Sequence, residues 1–408
     1  MKIVCDITGD EKEARTSPKG AAILPRGWRR FSGQVWCDKA WKQYYYIAAV
    51  TIPVLKPVNG EWKDLRDALK VSWQQSTSLS NWLMTELCKA DVTRDPTVDK
   101  MPPMPTVNLY QAARARFPNM PTASLSSILQ SVGLKYRAKR YEVVWLCKAS
   151  LPNYRYPTPF PMRAQGWKAE HGPEGEPVIS CRLDGKRWHL QLKRGPGFHR
   201  QHAAFAKMVD GEAMGVEMAL YQQRIGSGER ANLPNSRRPG DGGFVPQRLM
   251  AKLVMWLPKP TGERVSDGVL AVATAPDALL CAIDQNDKCW TYNADHARRY
   301  VAEHSRVLQR LAEDRKAEWR YPKRRGAQIQ RLTEQRCAKY RRRMNTVIDQ
   351  VSSALANYAR RRRVNLVTYN DTCRGYLASF PYHELEVKVW QKLDRLGIAF
   401  EKQIEVRE

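Results

Sequence analysis

The residues with the clearest chemical use in this sequence are cations set in groups. Arg324, Arg325, Arg331, Arg336, Lys339, Arg341, Arg342 and Arg343, then the run Arg360 to Arg363, lie on or at the ends of one long helical pattern. Few acids interrupt them, Glu334 and Asp349 being the exceptions. A helix with so basic a polar face can track a phosphate backbone, each contact releasing condensed counterions. A second group comprises Lys186, Arg187, Trp188, Lys193, Arg194, His199, Arg200 and His202. Gly195-Pro196-Gly197, inside it, lets backbone approach a ligand closely. An aromatic ring among cations suits stacked bases and an RNA backbone. Trp188, taken alone, reads more readily as a core strand residue.

Other chemistry is missing. There is no phosphate-cradling P-loop, no HExxH and no serine nucleophile elbow. The seven histidines show no metal-ligand spacing. The nine cysteines are scattered without a CxxC pair, which argues for a reducing compartment and against a zinc ribbon or a disulfide frame. Lys and Arg number 68 against 41 Asp and Glu, a net charge of +27, which points to a polyanionic partner. A 43% hydrophobic content still allows real cores, so this is no disordered basic tail. No apolar run reaches membrane-spanning length, and the polar first residues do not make a secretory signal. A cytoplasmic protein of two or three domains is expected.

The elements that must hold these groups fall into blocks. Residues 1 to about 24 are expected to lack order. Tyr44 to Leu55 is β-favouring and stops at Pro and Gly. From Trp62 to about Arg140 the spacing is helical, broken by the loop 91–107. YEVVWLCKASLP (141–152) reads as one strand, and VISCRLDGKRWHLQLKR (178–194) as a hairpin turning at Asp184-Gly185. MALYQQRI and LMAKLVMWLP add strands, and the Gly/Pro/Arg stretch 228–244 between them is expected to be a mobile loop. This block suggests a small half-open β-barrel, interrupted by the helices. Beyond Pro258, segments 269–275, 279–284 and 288–293 form a three-strand meander. Two long helices follow, the first capped by Asn293, then a strand at 364–369, a helix near Leu385 to Leu396 and a last strand.

This order of blocks resembles the compact type V CRISPR effectors (the Cas-twelve family) and the transposon-encoded TnpB proteins. SSILQSVGLKYRAKRYEVVWLCKASLPNYRYPTPFPMR (126–163) resembles the helical recognition lobe running into the wedge barrel, VISCRLDGKRWHLQLKRG the wedge hairpin, and FPYHELEVKVWQKLDRLGIAFEKQ (380–403) the helix and strand after the second RuvC motif. The implied fold is α+β and multidomain. It has an N-terminal segment with the first wedge strand (1–60), a helical recognition lobe (61–140), an oligonucleotide-binding-like wedge β-barrel (141–262) and an incomplete RNase H-like RuvC domain (263–408).

The resemblance implies a guide RNA and a double-stranded DNA target. The guide would pair with the target, and the protein would hold the heteroduplex by its backbone and read a short flanking motif. Gln74, Gln75, Ser76, Asn81, Ser124 and Ser127 are the flank-reading candidates, because amides and hydroxyls near helix starts can reach base edges. The cluster from Lys186 to Arg200 would hold RNA, and the cations from Arg324 to Arg343 the heteroduplex. The setting implied is a prokaryotic cytoplasm, near the nucleoid, in antiviral defence or gene regulation.

The departures concern the RuvC carboxylates, which in the family hold two Mg²⁺ ions. Laying LAVATAPDALLCAI over the pattern GIDLGxxxLA puts Thr274 at the Asp position and Pro276 at the Gly. Asp277 is the only nearby rescue. In NLVTYNDT, Asn370 takes the Glu position and Asp371 remains. The sequence ends at Glu408, before the family's zinc ribbon and third motif. The expectation is therefore an RNA-guided DNA binder that has lost cleavage, uses no catalytic metal and acts by occupying its target. The alternatives are an active Mg²⁺-dependent RuvC endonuclease and an RNA-binding structural protein with no DNA target.

Overall fold

The computed structural model describes residues 2–16, 22–25, 27–91, 104, 107–224, 233–236, 245–260, 268–275, 277–317, 324–370, 377 and 380–403. The chain forms two compact units, Met1–Asp38 with Ile47–Pro258, and Lys39–Tyr46 with Lys259–Glu408.

The first unit opens with small antiparallel pairs: β1 (Lys2–Val4) with β2 (Glu11–Glu13), β3 (Arg15–Thr16) with β4 (Ala22–Ile23), and β5 (Arg29–Phe31) with β6 (Gln34–Trp36). This corrects the expectation of a start without order. Two buried cysteines hold it, the Cys37 backbone N–H donating to Cys5 Sγ at 3.1 Å. The short helix α1 (Asp38–Tyr44), which from Lys39 on belongs to the second unit, precedes β7 (Tyr45–Pro57) in the chain.

The helical insert is α2 (Trp62–Asp91), α3 (Tyr110–Arg116) and α4 (Thr122–Arg140). Leu65, Leu69, Leu79 and Leu83 of α2 and Leu125, Ile128 and Val132 of α4 are buried, as their spacing requires. The strand expected at 141–152 is absent. Tyr141–Trp145 instead continues α4 as a π-helical turn. Tertiary contact overrides the β-favouring Val143-Val144 pair, because Arg140, just before it, is locked to Asp91 at the end of α2.

The sheet of this unit contains β8 (Phe160–Arg163), β9 (Trp167–His171), β10 (Pro177–Leu183), β11 (Lys186–Leu192), β12 (Met214–Arg224), β13 (Leu233–Ser236) and β14 (Val245–Pro258), with helix α5 (His199–Val209) after β11. The strand order is β8-β12-β14-β7-β11-β10-β9, with β13 on β14. β8 and β9 lie at opposite ends of that order, yet only a 3-10 turn at Ala164–Gly166 separates them in sequence. So short a connector reaches only about 3.5 Å per residue, so the sheet must curl until its edges approach. The β10–β11 hairpin has the expected register, Cys181 opposite Trp188, and turns through Asp184 and Gly185, both at positive φ. β13 occupies part of the stretch expected to be a mobile loop, which corrects that reading for 233–236. The rest of 228–244 lies outside the described residues, as does most of 91–107.

In the second unit β15 (Val269–Ala273), β16 (Ala278–Asp284) and β17 (Cys289–Asn293) form the antiparallel meander expected from the sequence. Helices α6 (Asp295–Ala317) and α7 (Arg324–Arg361) follow, then β18 (Leu366–Asn370), α8 (Tyr382–Arg395) and β19 (Ala399–Gln403). Asn293 Oδ1 caps α6 by accepting the Asp295 N–H at 2.7 Å. The sheet order is β17-β16-β15-β18-β19, with β15, β18 and β19 mutually parallel. Leu270, Val272, Val367 and Tyr369 of the sheet pack with Val347, Val351 and Leu355 of α7 and Leu385 and Val389 of α8.

Candidate nucleic-acid interface

In the second unit, α6 and α7 border a shallow groove whose cations lie on the α7 side. Arg336, Lys339 and Arg343 recur along one face of α7. Arg299, Arg306 and Arg310 recur along α6 and line an adjoining hollow of about 360 Å³. Sequence reading missed these three, though their spacing of seven and four residues was a usable signal. Aromatic rings lie between the cations. His304 and Tyr340 stack at 4.0 Å and 7°, and the Arg343 guanidinium sits 4.9 Å from the centre of Tyr300. Burial pushes the His304 imidazole below its usual value, which favours the neutral ring. Glu303 is the acid lining the groove. Its hydrogen bond from Arg343 holds its carboxyl below the usual range against a smaller effect of burial, and the charges of Lys339 and Arg336 lower it further. Arg331, Arg341 and Arg342 are also exposed on α7. Arg324 and Arg325 open that helix, but their side chains lie outside the described residues.

In the first unit the cluster expected as one RNA-contacting group divides. Arg187, near the hairpin tip, lines a cleft of about 770 Å³ with Arg114, Arg163, Lys168 and Arg182. The start of α4, Pro121 to Ala123, forms the facing wall. Gly166 is there because a Cβ would meet that of Ala123 at 2.8 Å. Arg194, His199 and His202 border a separate pocket, and Arg200 is exposed beside them on α5. Lys193 is half-buried at the end of β11. Trp188 is 1% exposed, which makes it a core residue and corrects its assignment to RNA contact. Lys186 lies over its ring at 4.5 Å.

Four of the six flank-reading candidates are spent on the fold. Ser76 Oγ donates to the Pro159 carbonyl at 2.9 Å and Ser127 Oγ to Glu217 at 2.6 Å. Asn81 donates to the Tyr154 carbonyl and accepts the Tyr154 N–H. Ser124 is fully buried. The three serines are buried and cannot reach a base edge, so those assignments are corrected; Asn81 is half-buried with its amide engaged by Tyr154. Gln74 is exposed and Gln75 half-buried on α2.

The positions expected to carry carboxylates come together but do not carry them. Ala273 pairs with Asn370 in parallel register, and Thr274 follows directly. Thr274 is 3% exposed, and its hydroxyl has no hydrogen-bond partner among the described residues. Asp277 is turned outward against Arg298. Asp284, the buried acid at the far end of β16, is held by Arg362 and by the N–H groups of Asn286 and Lys288. Among the described residues no three His, Cys, Asp or Glu are grouped to hold a metal ion. Among the described residues Thr274, Asn370 and the outward-turned Asp277 bring no carboxylate to the ends of β15 and β18, where a pair of Mg²⁺ ions would need several. Asp371 and Pro276 lie outside the described residues.

The fold is similar to that of the protein in a cryo-EM structure of a Cas12f1–sgRNA–target DNA complex, with 13% identity, a TM-score of 0.49, and 88% of this chain and 89% of that chain covered. It is also similar to that in a cryo-EM structure of a CRISPR–Cas12f ternary complex, with 14% identity, a TM-score of 0.39, and 84% of this chain and 72% of that one covered. No protein-family model and no curated protein matches. Among the described residues no helix is long and apolar enough to cross a membrane.

Proposed function

We propose that this chain is an RNA-guided DNA-binding protein that holds its target without cutting it. The observation that carries the reading is the set of cations on these two helices: Arg336, Lys339 and Arg343 on the α7 side of the α6–α7 groove, and Arg299, Arg306 and Arg310 in the adjoining hollow on α6, with Glu303 lining both. Such a surface binds a nucleic-acid backbone with no sequence preference, so sequence must be read by something else. A bound guide does that by base pairing. The cleft lined by Arg114, Arg163, Lys168, Arg182 and Arg187 serves the flanking duplex. Arginine is the residue type best matched to guanine edges and to phosphates.

The curled sheet with its helical insert acts as the wedge and recognition lobe. The five-strand sheet acts as an RNase H-like scaffold whose catalytic positions carry Thr274 and Asn370. Binding then becomes the output, through blocked transcription or interference. Sequencing the RNA that copurifies with the protein tests this. A defined RNA with a constant part and a variable segment is expected. An RNA-free preparation that binds RNA only weakly and without preference would overturn it.

A further inference from the structure

Cys5 and Cys37 meet at one surface turn. The turn runs from Cys5 to Asp10 and is closed by two backbone hydrogen bonds, the Cys5 N–H to the Asp10 carbonyl at 2.8 Å and the Gly9 N–H to the Cys5 carbonyl at 2.9 Å. Thr8, Gly9 and Asp10 are exposed, while the two cysteines are thiols 1% and 4% exposed. Their spacing is half of a zinc motif. Cys5-x-x-Thr8 and Cys37-x-x-Ala40 each keep one cysteine of a Cys-x-x-Cys pair and replace the other. Neither threonine nor alanine supplies a thiolate, and among the described residues no three His, Cys, Asp or Glu are grouped to hold a metal ion.

The two sulfurs are within bonding reach. The Cys37 N–H donates to Cys5 Sγ at 3.1 Å, and the N–Cα bond adds about 1.5 Å, so the Cys37 Cα lies no more than about 4.6 Å from that sulfur. Rotation about the Cys37 Cα–Cβ bond is enough to bring one sulfur to the other. Their surroundings differ. Burial raises the Cys5 thiol, but hydrogen bonds from the Thr8 hydroxyl and from the N–H groups of Cys37, Ile7 and Thr8 outweigh it and bring the thiol down to about 7. Near neutral pH much of Cys5 is therefore thiolate, the nucleophilic form. Cys37 Sγ donates to Asp10 Oδ2 at 3.5 Å and lies 3.4 Å from Thr8 Oγ1.

We propose that Cys5 and Cys37 form a site that takes a small hydroperoxide as oxidant and closes to a reversible disulfide. The inference stands apart from the nucleic-acid reading of the chain. The Cys5 sulfur attacks one peroxide oxygen and the O–O bond breaks. Cys5 becomes a sulfenic acid, and the hydroxide that leaves takes up a proton as water. The Cys37 sulfur then bonds to the Cys5 sulfur. The S–O bond breaks, and the sulfenic oxygen leaves as a second water with the Cys37 proton. Two thiols lose two electrons, and one hydrogen peroxide becomes two waters. A dithiol reductant reverses the bond by exchange. Burial of both sulfurs admits a small oxidant and keeps out a bulky disulfide. The bridge closes residues 5–37 into a covalent loop around the strand pairs β1–β2, β3–β4 and β5–β6. In a reducing compartment such a bond is transient, as a redox-sensing one must be.

The test uses the full chain, reduced, freed of reductant and treated with hydrogen peroxide. Peptide mapping by mass spectrometry should find Cys5 joined to Cys37, and dithiothreitol should restore both thiols. Exposed Cys147 and Cys289 are the internal controls and should be oxidised about tenfold more slowly or less. Cys37→Ser should stop at a sulfenic acid on Cys5, which dimedone captures, and Cys5→Ser should leave Cys37 a thiol. The wild-type map decides by itself if either variant fails to fold. Cys5 and Cys37 still reduced once Cys289 is oxidised, or Cys5 joined to a different cysteine, overturns the inference.

Discussion

Arg298 donates a hydrogen bond to Asp277 at 3.0 Å, and the aspartate side chain is 95% exposed. The carboxylate closest in sequence to the end of β15 is thereby committed to the outer surface, away from buried Thr274. A metal held at the ends of β15 and β18 would need that carboxylate to turn inward and break the pair. Asp277→Ala is therefore expected to leave target binding unchanged, apart from a small stability effect of under about 1 kcal/mol, as for other exposed pairs. Equilibrium binding of guided target DNA by wild type and variant checks it.

The α6–α7 groove makes a quantitative expectation. Replacing Arg336, Lys339 and Arg343 together by Gln removes up to three phosphate contacts. The log–log slope of affinity against salt should then fall by about 2–3, since each contact contributes about 0.7–0.9. Replacing Arg299, Arg306 and Arg310 on α6 should have a similar effect. Titration of nucleic-acid binding across a salt series reads both. An unchanged slope in both triple variants would mean that the groove does not touch nucleic acid.

The helical insert depends on one buried pair. Asp91 accepts from Arg140 Nε and Nη2 and from the Tyr136 hydroxyl at 2.7 Å. Burial pushes the Asp91 carboxyl up, but the bonds from Arg140 and Tyr136 outweigh it and hold the acid below its ordinary value. Because the folded value is the lower one, the stabilisation is complete above the unfolded carboxyl range. It is lost as pH falls through the folded value. Asp91→Asn should cost about 3–5 kcal/mol by leaving Arg140 buried without its counter-charge. It should also flatten the acid side of the stability curve, read by thermal melting between neutral and acidic pH.

Trp188 and its neighbours separate stability from binding. Trp188→Ala should cost about 3–5 kcal/mol and lower the melting temperature, while the fraction that remains folded keeps its affinity for nucleic acid. Arg163→Gln with Arg187→Gln should do the reverse. These residues line the 770 Å³ cleft from the surface, so melting should stay near wild type while binding of the DNA flank weakens. Gly60→Ala provides an internal control, because its φ is +153° and an added Cβ would meet the Trp188 ring at 3.0 Å.

Much of the scaffold was legible from spacing alone. The β10–β11 hairpin, the meander and helices α2, α4, α6 and α7 follow from alternation, Asp-Gly turn chemistry, helical periodicity and the Asn293 cap. The failures have physical causes. Residues 141–145 favour strand by composition but are held helical by the Asp91–Arg140 lock fifty residues back in the chain, which no local pattern shows. Helix α5 was missed because its basic and histidine residues drew attention as a binding cluster, although Pro196 before Ala204 and Phe205 marked a helix start.

The site was less legible than the fold. The cations of α7 stood out as a run. Those of the cleft come from five separate segments and meet only in three dimensions. Ser76, Ser124 and Ser127 looked like readers of DNA because serine suits that role. Whether a serine faces solvent or another element depends on packing that a single sequence does not display.

The most direct measurement is retention of a guide-matched duplex by the RNA-loaded protein, followed in parallel with strand breakage, in Mg²⁺, in Mn²⁺ and in EDTA. Binding that uses the cationic groove and cleft needs no catalytic metal, and neither Thr274 nor Asn370 can supply an anionic ligand for one. The expected result is tight, guide-dependent retention in all three conditions, with both DNA strands intact after long incubation. Guide-dependent breaks that appear in Mg²⁺ or Mn²⁺ and vanish in EDTA would contradict the account.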